Sequence, residues 1–298
     1  MNSNTKKHVR SKNYSFKAVL LSFALFCSLP LYGNTLTFTA IPDQNSTRLQ
    51  QRFSKVADYL SKTLGVPVKY IPVKSYSASV AAFKNNEVQL AWFGGLSGVK
   101  ARLSVPGAQA IAQGLEDPKF VTYFIANKQA GLAFSKEFPL AISQKTFTFG
   151  SKGSTSGRLM PEYYIRKHFG KKPRSVFRRV GFSGDHSKTI ALVQSGSYEV
   201  GAVNYKVWET EVQAGKIDPS KVHIIWETPP YPDYNWSIRG DVEKTFGEGF
   251  IVKVQQALIN MKDKTLLDSF PRTRFIPADN SMFQPILETS REIGIIRR

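Results

Sequence analysis

Short apolar runs of strand length take turns along this chain with segments whose apolar residues recur at helical spacing, and this alternation narrows the fold more than any other feature. Residues 36–41 alternate as a strand. Leu49, Phe53, Val56, Leu60 and Leu64 then recur as one face of an amphipathic helix. Residues 68–73 read as a strand, 77–83 as a helix and 88–93 as a buried strand. A second series opens with a strand at 146–149. It continues through a helix from Ser156, a strand around 177–180 and a helix from Asp185. The strand 198–204, a helix from Tyr205 and the strand 222–226 complete it. Alternating β and α elements predict an α/β fold with largely parallel sheets covered by helices. The two series echo one another: a helix and polar turn lead into "EV" strands at Glu87-Val88 and Glu199-Val200, as in two lobes of similar build.

Two stretches suit crossings between lobes, the β-rich 119–127 and the proline-rich 228–234. The expected division is lobe 1 over residues 34–124 and 235–298, with lobe 2 inserted over 125–234. Segments 243–261 and 282–296 read as helices returning to lobe 1.

The first 33 residues read as an export signal. Lys6, Lys7, Arg10, Lys12 and Lys17 precede an apolar run of about a dozen residues, too short for a comfortable span. An uncleaved anchor is the alternative. Cys27 is the only cysteine, so residues 34–298 can form no disulfide and no zinc–thiolate centre. These features predict an exported, periplasmic protein. Removing the five basic residues of the leader from the formal +19 leaves +14. Such a charge suits anionic solutes, nucleic acid or an acidic membrane surface. The basic residues are scattered, with one dense cluster at 171–179, and no nucleic-acid motif is present.

The stretch GSTSGRLMP, residues 153–161, sets three hydroxyls between two glycines. A nucleophile elbow needs serine at the centre of G-x-S-x-G, and Thr155 stands there. No lysine follows Gly157, so a nucleotide P-loop is absent, and G-x-G-x-x-G is absent too. The four histidines show no metal-ligand spacing, so neither metal nor cofactor is expected and no catalytic constellation emerges. What remains is a cradle for a small oxyanion. Ser154, Thr155 and Ser156 fall at a helix N-terminus beyond the carboxyl end of a strand, where free N–H groups and the helix dipole favour an anion. Plain capping by one hydroxyl is the competing reading. Similar junctions lie at 74–77, 93–98 and 183–187.

Ala40-Ile41-Pro42-Asp43-Gln44, Ala91-Trp92-Phe93-Gly94-Gly95, GSTSGRLMP, Phe182-Ser183-Gly184 with His186, and the run 229–236 (PPYPDYNW) occur together in order. Together they resemble the phosphate/phosphite/phosphonate-binding proteins of ABC transporters, the PhnD-like family, including a branch labelled selenate-binding. The resemblance implies a two-lobed periplasmic binding protein of type II, with two hinge strands and a cleft that closes on a small oxyanion. It implies no enzymatic activity, an ABC permease in the inner membrane as partner, and a monomer. Ligand contacts are implied for Ser154, Thr155, Ser156, His186, Tyr76, Phe93, Gly94, Asp233 and Tyr234. Some relatives carry a tyrosine just after the Phe-Gly-Gly turn, where this chain has Leu96. Relatives with G-A-H-D differ from Gly184-Asp185-His186-Ser187 here, which leaves the role of Asp185 open. An ionised Asp233 facing the ligand would accept a hydrogen bond from a protonated phosphorus oxyanion, whereas fully ionised sulfate or selenate has none to give. Transport and receptor-linked sensing both fit such a protein.

Overall fold

The computed structural model describes residues 1–3, 34–44 and 46–297. Most of the expected export signal, with Cys27, lies outside the described residues.

Among the described residues eleven strands run in chain order: β1 (Leu36–Ala40), β2 (Val68–Tyr70), β3 (Leu90–Phe93), β4 (Gln109–Gly114), β5 (Thr122–Asn127), β6 (Thr146–Phe149), β7 (Arg179–Phe182), β8 (Val200–Asn204), β9 (Val222–Glu227), β10 (Asn235–Ile238) and β11 (Phe275–Pro277). The helices that matter for the site are α1 (Ser46–Leu64), α2 (Tyr76–Lys84), α3 (Gly95–Leu103), α4 (Met160–Phe169), α5 (His186–Gln194) and α6 (Tyr205–Gln213). The spacing expected for α1 places Leu49, Phe53, Val56, Leu60 and Leu64 in the core, none more than 3% exposed.

The strands form two sheets, ordered β11-β4-β10-β3-β1-β2 and β7-β6-β8-β5-β9. They are more mixed than the expected parallel sheets. In the first, β10 runs antiparallel to both neighbours, β3 and β4. In the second, β5 does the same between β8 and β9. The cause is topological: β5 and β10 are the strands that enter directly from the other sheet, so each arrives with reversed direction.

The chain crosses at 115–121 and 228–234, and the two crossings run side by side. Phe120 and Tyr231 exchange backbone hydrogen bonds, both 2.9 Å, and the Asp233 N–H donates to the Asp117 carbonyl at 3.0 Å. A lobe boundary between residues 124 and 125 would cut β5, because Thr122 through Ala126 already pair with β8. Beneath the crossings Arg272 grips Asp117 through Nε and Nη2 (2.7–3.0 Å), and both are fully buried against Trp92, Phe120 and Tyr234.

Strands β4 and β11 were not legible in the sequence. The expected helix over 243–261 is broken in two by Gly247 and Gly249, whose positive φ angles (+94° and +78°) end one helix and begin the next. Apolar residues of the second sheet alternate between two clusters: Phe124 packs on one face with Phe147 and Trp226, and Ile125 on the other with Val193 and Val203.

Candidate functional site

Four helical segments begin beside the expected site residues. Tyr76 is the first residue of α2, Gly95 of α3, Thr155 of a helical turn leading into α4, and His186 of α5. Each follows closely on the carboxyl end of a strand, so unpaired N–H groups and positive dipole ends collect at one edge of the two sheets. Ser75 caps α2 and Ser154 caps the turn before α4. Asp185 caps α5: one carboxyl oxygen accepts the Lys188 N–H at 2.8 Å and the other pairs with Lys188 Nζ at 3.1 Å. The displaced acid is therefore engaged within its own helix.

The helix expected from Ser156 opens instead as a single wider turn, Thr155–Leu159, in which the Leu159 N–H reaches back five residues to the Ser154 carbonyl. Pro161 has no N–H to offer Gly157, whose carbonyl accepts the Gly150 N–H at 2.8 Å. Within this turn the polar groups have separate tasks. Ser154 Oγ accepts the Gly157 N–H at 2.8 Å. Thr155 Oγ1 accepts the Leu96 N–H at 3.0 Å, linking the two halves of the fold. The Ser156 carbonyl accepts from Thr122 Oγ1 at 3.0 Å. Ser154, Thr155 and Ser156 are each at most 2% exposed. Having accepted, the Ser154 and Thr155 hydroxyls each keep one proton, and that of Thr155 is directed at the Asp233 carboxyl.

Around this turn stand three buried polar atoms with no hydrogen-bond partner: Tyr76 Oη, His186 Nε2 and Asp233 Oδ2. Their proximity to the turn is direct. A Cβ placed on Gly153 would stand 3.0 Å from Tyr76 Cβ, and one on Gly157 would stand 3.0 Å from His186 Cε1. One on Gly94 would meet Asp233 Oδ1 at 3.2 Å and Thr155 Oγ1 at 3.4 Å.

The electrostatics assign roles. His186 Nδ1 accepts the Asn204 N–H at 3.2 Å, so the proton of the neutral ring sits on Nε2 and is offered as a donor. Burial pushes the His186 pKa down to about 3, so this donor is uncharged across the physiological range. Burial likewise holds the Tyr76 hydroxyl well above its usual range, reinforced by Asp43 and Asp233 nearby. Asp233 gives Oδ1 to the Gly95 N–H at 2.7 Å. Burial pushes its pKa up to about 7, against the lowering effects of Thr155 and that N–H.

Two expected contacts have other work. The Phe93 ring is fully buried and packs edge-on against Phe83, 5.6 Å between centroids. The Tyr234 hydroxyl donates to Asp43 Oδ2 at 2.7 Å and accepts from Asn204 Nδ2 at 2.8 Å. Sequence reasoning passed over Asp43, a buried carboxyl whose pKa burial raises to about 6, and over Asn204. Asp43 lies in the motif 40–44, but a single polar residue after a strand carries no local signal of such a role. Arg272 is engaged by Asp117, and Arg102 by Asn235 and Ser237, while Arg52, whose charge reaches Asp43, has a buried Nη1 without a partner. No group of metal-ligating side chains occurs among the described residues. The arrangement is a nest of neutral donors with one acid facing it, suited to hold an oxyanion.

Comparison with known proteins gives a consistent answer. Residues 38–283 match the family model described as "ABC transporter, phosphonate, periplasmic substrate-binding protein". The chain is 42% identical over 293 residues to a protein described as "Probable ABC transporter phosphite binding protein PhnD1" of Prochlorococcus marinus (strain MIT 9301), spanning 93% of this chain and 96% of that one. The solved structure of PhnD1 from this organism in complex with methylphosphonate superposes with a TM-score of 0.83 over 88% of this chain and 99% of its own, at 41% identity. A binding protein component of an ABC phosphonate transporter from Pseudomonas aeruginosa shares the fold at 21% identity (TM-score 0.76, covering 88% of this chain and 87% of its own).

Proposed function

The chain belongs to the periplasmic substrate-binding proteins of phosphonate ABC transporters, and from that premise we propose that its cleft captures a small phosphorus oxyanion (phosphite, phosphate or a short phosphonate) for delivery to a membrane permease. Residues 1–33 serve as the export signal in this reading. Ser154, Ser156, Tyr76 and His186 donate to the anion, Thr155 directs its proton at Asp233, the helix N-termini add backbone N–H groups, and Asp233 Oδ2 accepts the proton the anion carries. Every side chain in this set comes from the one chain, so a monomer suffices.

The observation that carries the reading is the composition of the unpartnered set: Tyr76 Oη and His186 Nε2 as donors and Asp233 Oδ2 as acceptor, all buried beside the serine–threonine turn. A buried polar group without a partner is strongly disfavoured. A monoprotonated tetrahedral anion satisfies all three, offering several acceptor oxygens and one O–H. Above about pH 7, where Asp233 is ionised, fully ionised sulfate or selenate meets it with a second negative charge and no proton to give, whereas below that pH the protonated carboxyl can itself donate to either anion.

The test is a thermal-shift and calorimetric comparison of phosphite, methylphosphonate, phosphate, sulfate and selenate. A ligand at a hundredfold excess over its Kd should stabilise the protein by about 2.7 kcal/mol. Tight sulfate or selenate binding at pH 8, with the phosphorus anions inert, would overturn the assignment.

A further inference from the structure

Four residues close a ring of hydrogen bonds through the wall of the cleft. The Asp43 carbonyl accepts the His186 N–H at 3.1 Å. His186 Nδ1 accepts the Asn204 N–H at 3.2 Å. Asn204 Nδ2 donates to Tyr234 Oη at 2.8 Å, and Tyr234 Oη donates to Asp43 Oδ2 at 2.7 Å. All four are buried, none more than 8% exposed.

The ring spans both halves of the fold. Asp43 follows β1 of the first sheet, and His186 and Asn204 stand at ends of elements of the second. Tyr234 lies on the second crossing, its ring against Trp92 at 5.4 Å. Two of the four bonds, His186 N–H to the Asp43 carbonyl and Asn204 Nδ2 to Tyr234 Oη, join the second sheet to the first and would break if the halves moved apart, while the Asp43 carboxyl orients the Tyr234 hydroxyl that receives Asn204. The same ring fixes the tautomer of His186 and hence the proton it offers from Nε2.

We propose that Asp43 and Tyr234 form a latch: positioning residues that hold the two halves together around the ligand and set its residence time, without touching the anion. The proposal rests on the reading of the cleft as an oxyanion site. Partner exchange within the ring is direct, since Tyr234 Oη both donates and accepts, and removing that one oxygen cuts two bonds. Hydrogen bonds to a charged or buried partner are among the stronger ones, and among variants of one interface affinity changes fall chiefly on dissociation.

The experiment is stopped-flow or surface-based kinetics with methylphosphonate on the full chain, combined with unfolding midpoints in the presence and absence of ligand. Tyr234→Phe keeps the aromatic packing and removes the hydroxyl; Asp43→Ala removes the acceptor. Each should speed dissociation about tenfold and leave association within about threefold. The double variant should be little worse than either single one, because both cut the same ring. Asp43→Asn, whose amide oxygen still accepts from Tyr234, should recover most of the lost residence time.

Independent, multiplicative effects in the double variant would overturn the latch. So would a loss confined to association, or a Tyr234→Phe variant destabilised equally with and without ligand, as plain core packing requires. If the unaltered protein binds neither methylphosphonate nor phosphite nor phosphate, the oxyanion reading fails and takes the latch with it. If it binds and the variants act independently, only the latch fails.

Discussion

Asp233 and Gly95 meet at 2.7 Å, the carboxyl accepting the first backbone N–H of α3 with Oδ1 and leaving Oδ2 turned away, buried and unpartnered. One oxygen is thus held by the scaffold and the other is presented. Selectivity should depend on that second oxygen. Asp233→Asn offers an amide in place of an acceptor, so binding of protonated phosphorus oxyanions should weaken by about ten- to a hundredfold, the range for a hydrogen bond to a charged group. Discrimination against sulfate should shrink at the same time. Calorimetry on both anions measures this; an unchanged ratio between them would remove Asp233 from the specificity argument.

Proton linkage follows from the same carboxyl. Its pKa in the fold is raised to about 7 from the ordinary 3.8, so between those values the native state holds more protons than the unfolded chain. Stability contributed by this group must therefore fall as pH rises from about 4 to 7. Asp43, raised to about 6, acts in the same direction. Ligand-free Asp233→Asn should gain stability relative to the unaltered protein across that window, read as a difference in denaturant midpoint. A difference that is flat with pH contradicts the assignment.

Binding should carry a proton at alkaline pH. Above the titration of both Asp233 and the ligand, the complex needs one proton that neither partner brings. Affinity for methylphosphonate should then fall by up to tenfold per pH unit. Calorimetry in buffers of different ionisation enthalpy should find close to one proton taken up near pH 9; none taken up would show that the acid does not accept from the ligand.

His186 should remain neutral where an ordinary histidine charges. Burial has lowered its pKa to about 3, so its ring proton signals should not titrate between pH 7 and 5, and affinity should show no inflection near 6.5 from this residue. Its stability contribution has the opposite sign to that of Asp233. The unfolded chain binds the extra proton below about 6.5, so the fold loses stability as pH falls from there.

Gly157 has no room for a methyl group. A Cβ there would approach Ser154 Oγ at 2.9 Å, His186 Cε1 at 3.0 Å and Gly150 Cα at 3.2 Å. Gly157→Ala should displace the serine cap and the histidine together and lower affinity at least tenfold. Crystallography or a binding isotherm of the variant checks this, and near-normal affinity would mean that the turn adapts.

The α/β class and the second crossing were legible because they rest on local pattern: the 3.6-residue period of α1, the apolar strands, the proline-rich run at 228–234. The first crossing lies earlier than the expected 119–127, since residues 122–127 are already β5. The serine–threonine turn was legible because three hydroxyls between glycines are unusual at a helix start. What stayed hidden depends on distant partners. Nothing near Asp43 in sequence announces that its carboxyl will meet Tyr234, 191 positions away. Nothing near Phe93 says that its ring faces Phe83 rather than the cleft. The reversed directions of β5 and β10 are likewise a property of the complete topology. The short β4 and β11 carry too little pattern to stand out: one is rich in alanine and glutamine, the other has three residues.

In the proposed cleft the donors are neutral groups: hydroxyls, an uncharged imidazole and peptide N–H groups at helix starts, with Arg272 and Arg102 held by partners of their own. Dissolved ions weaken attraction between exposed charges but barely reach dipoles enclosed in a dry cleft. A protein working outside the cytoplasm meets a medium whose salinity its cell does not control. A grip built from enclosed dipoles, as proposed, would vary little with the salt concentration outside the cell.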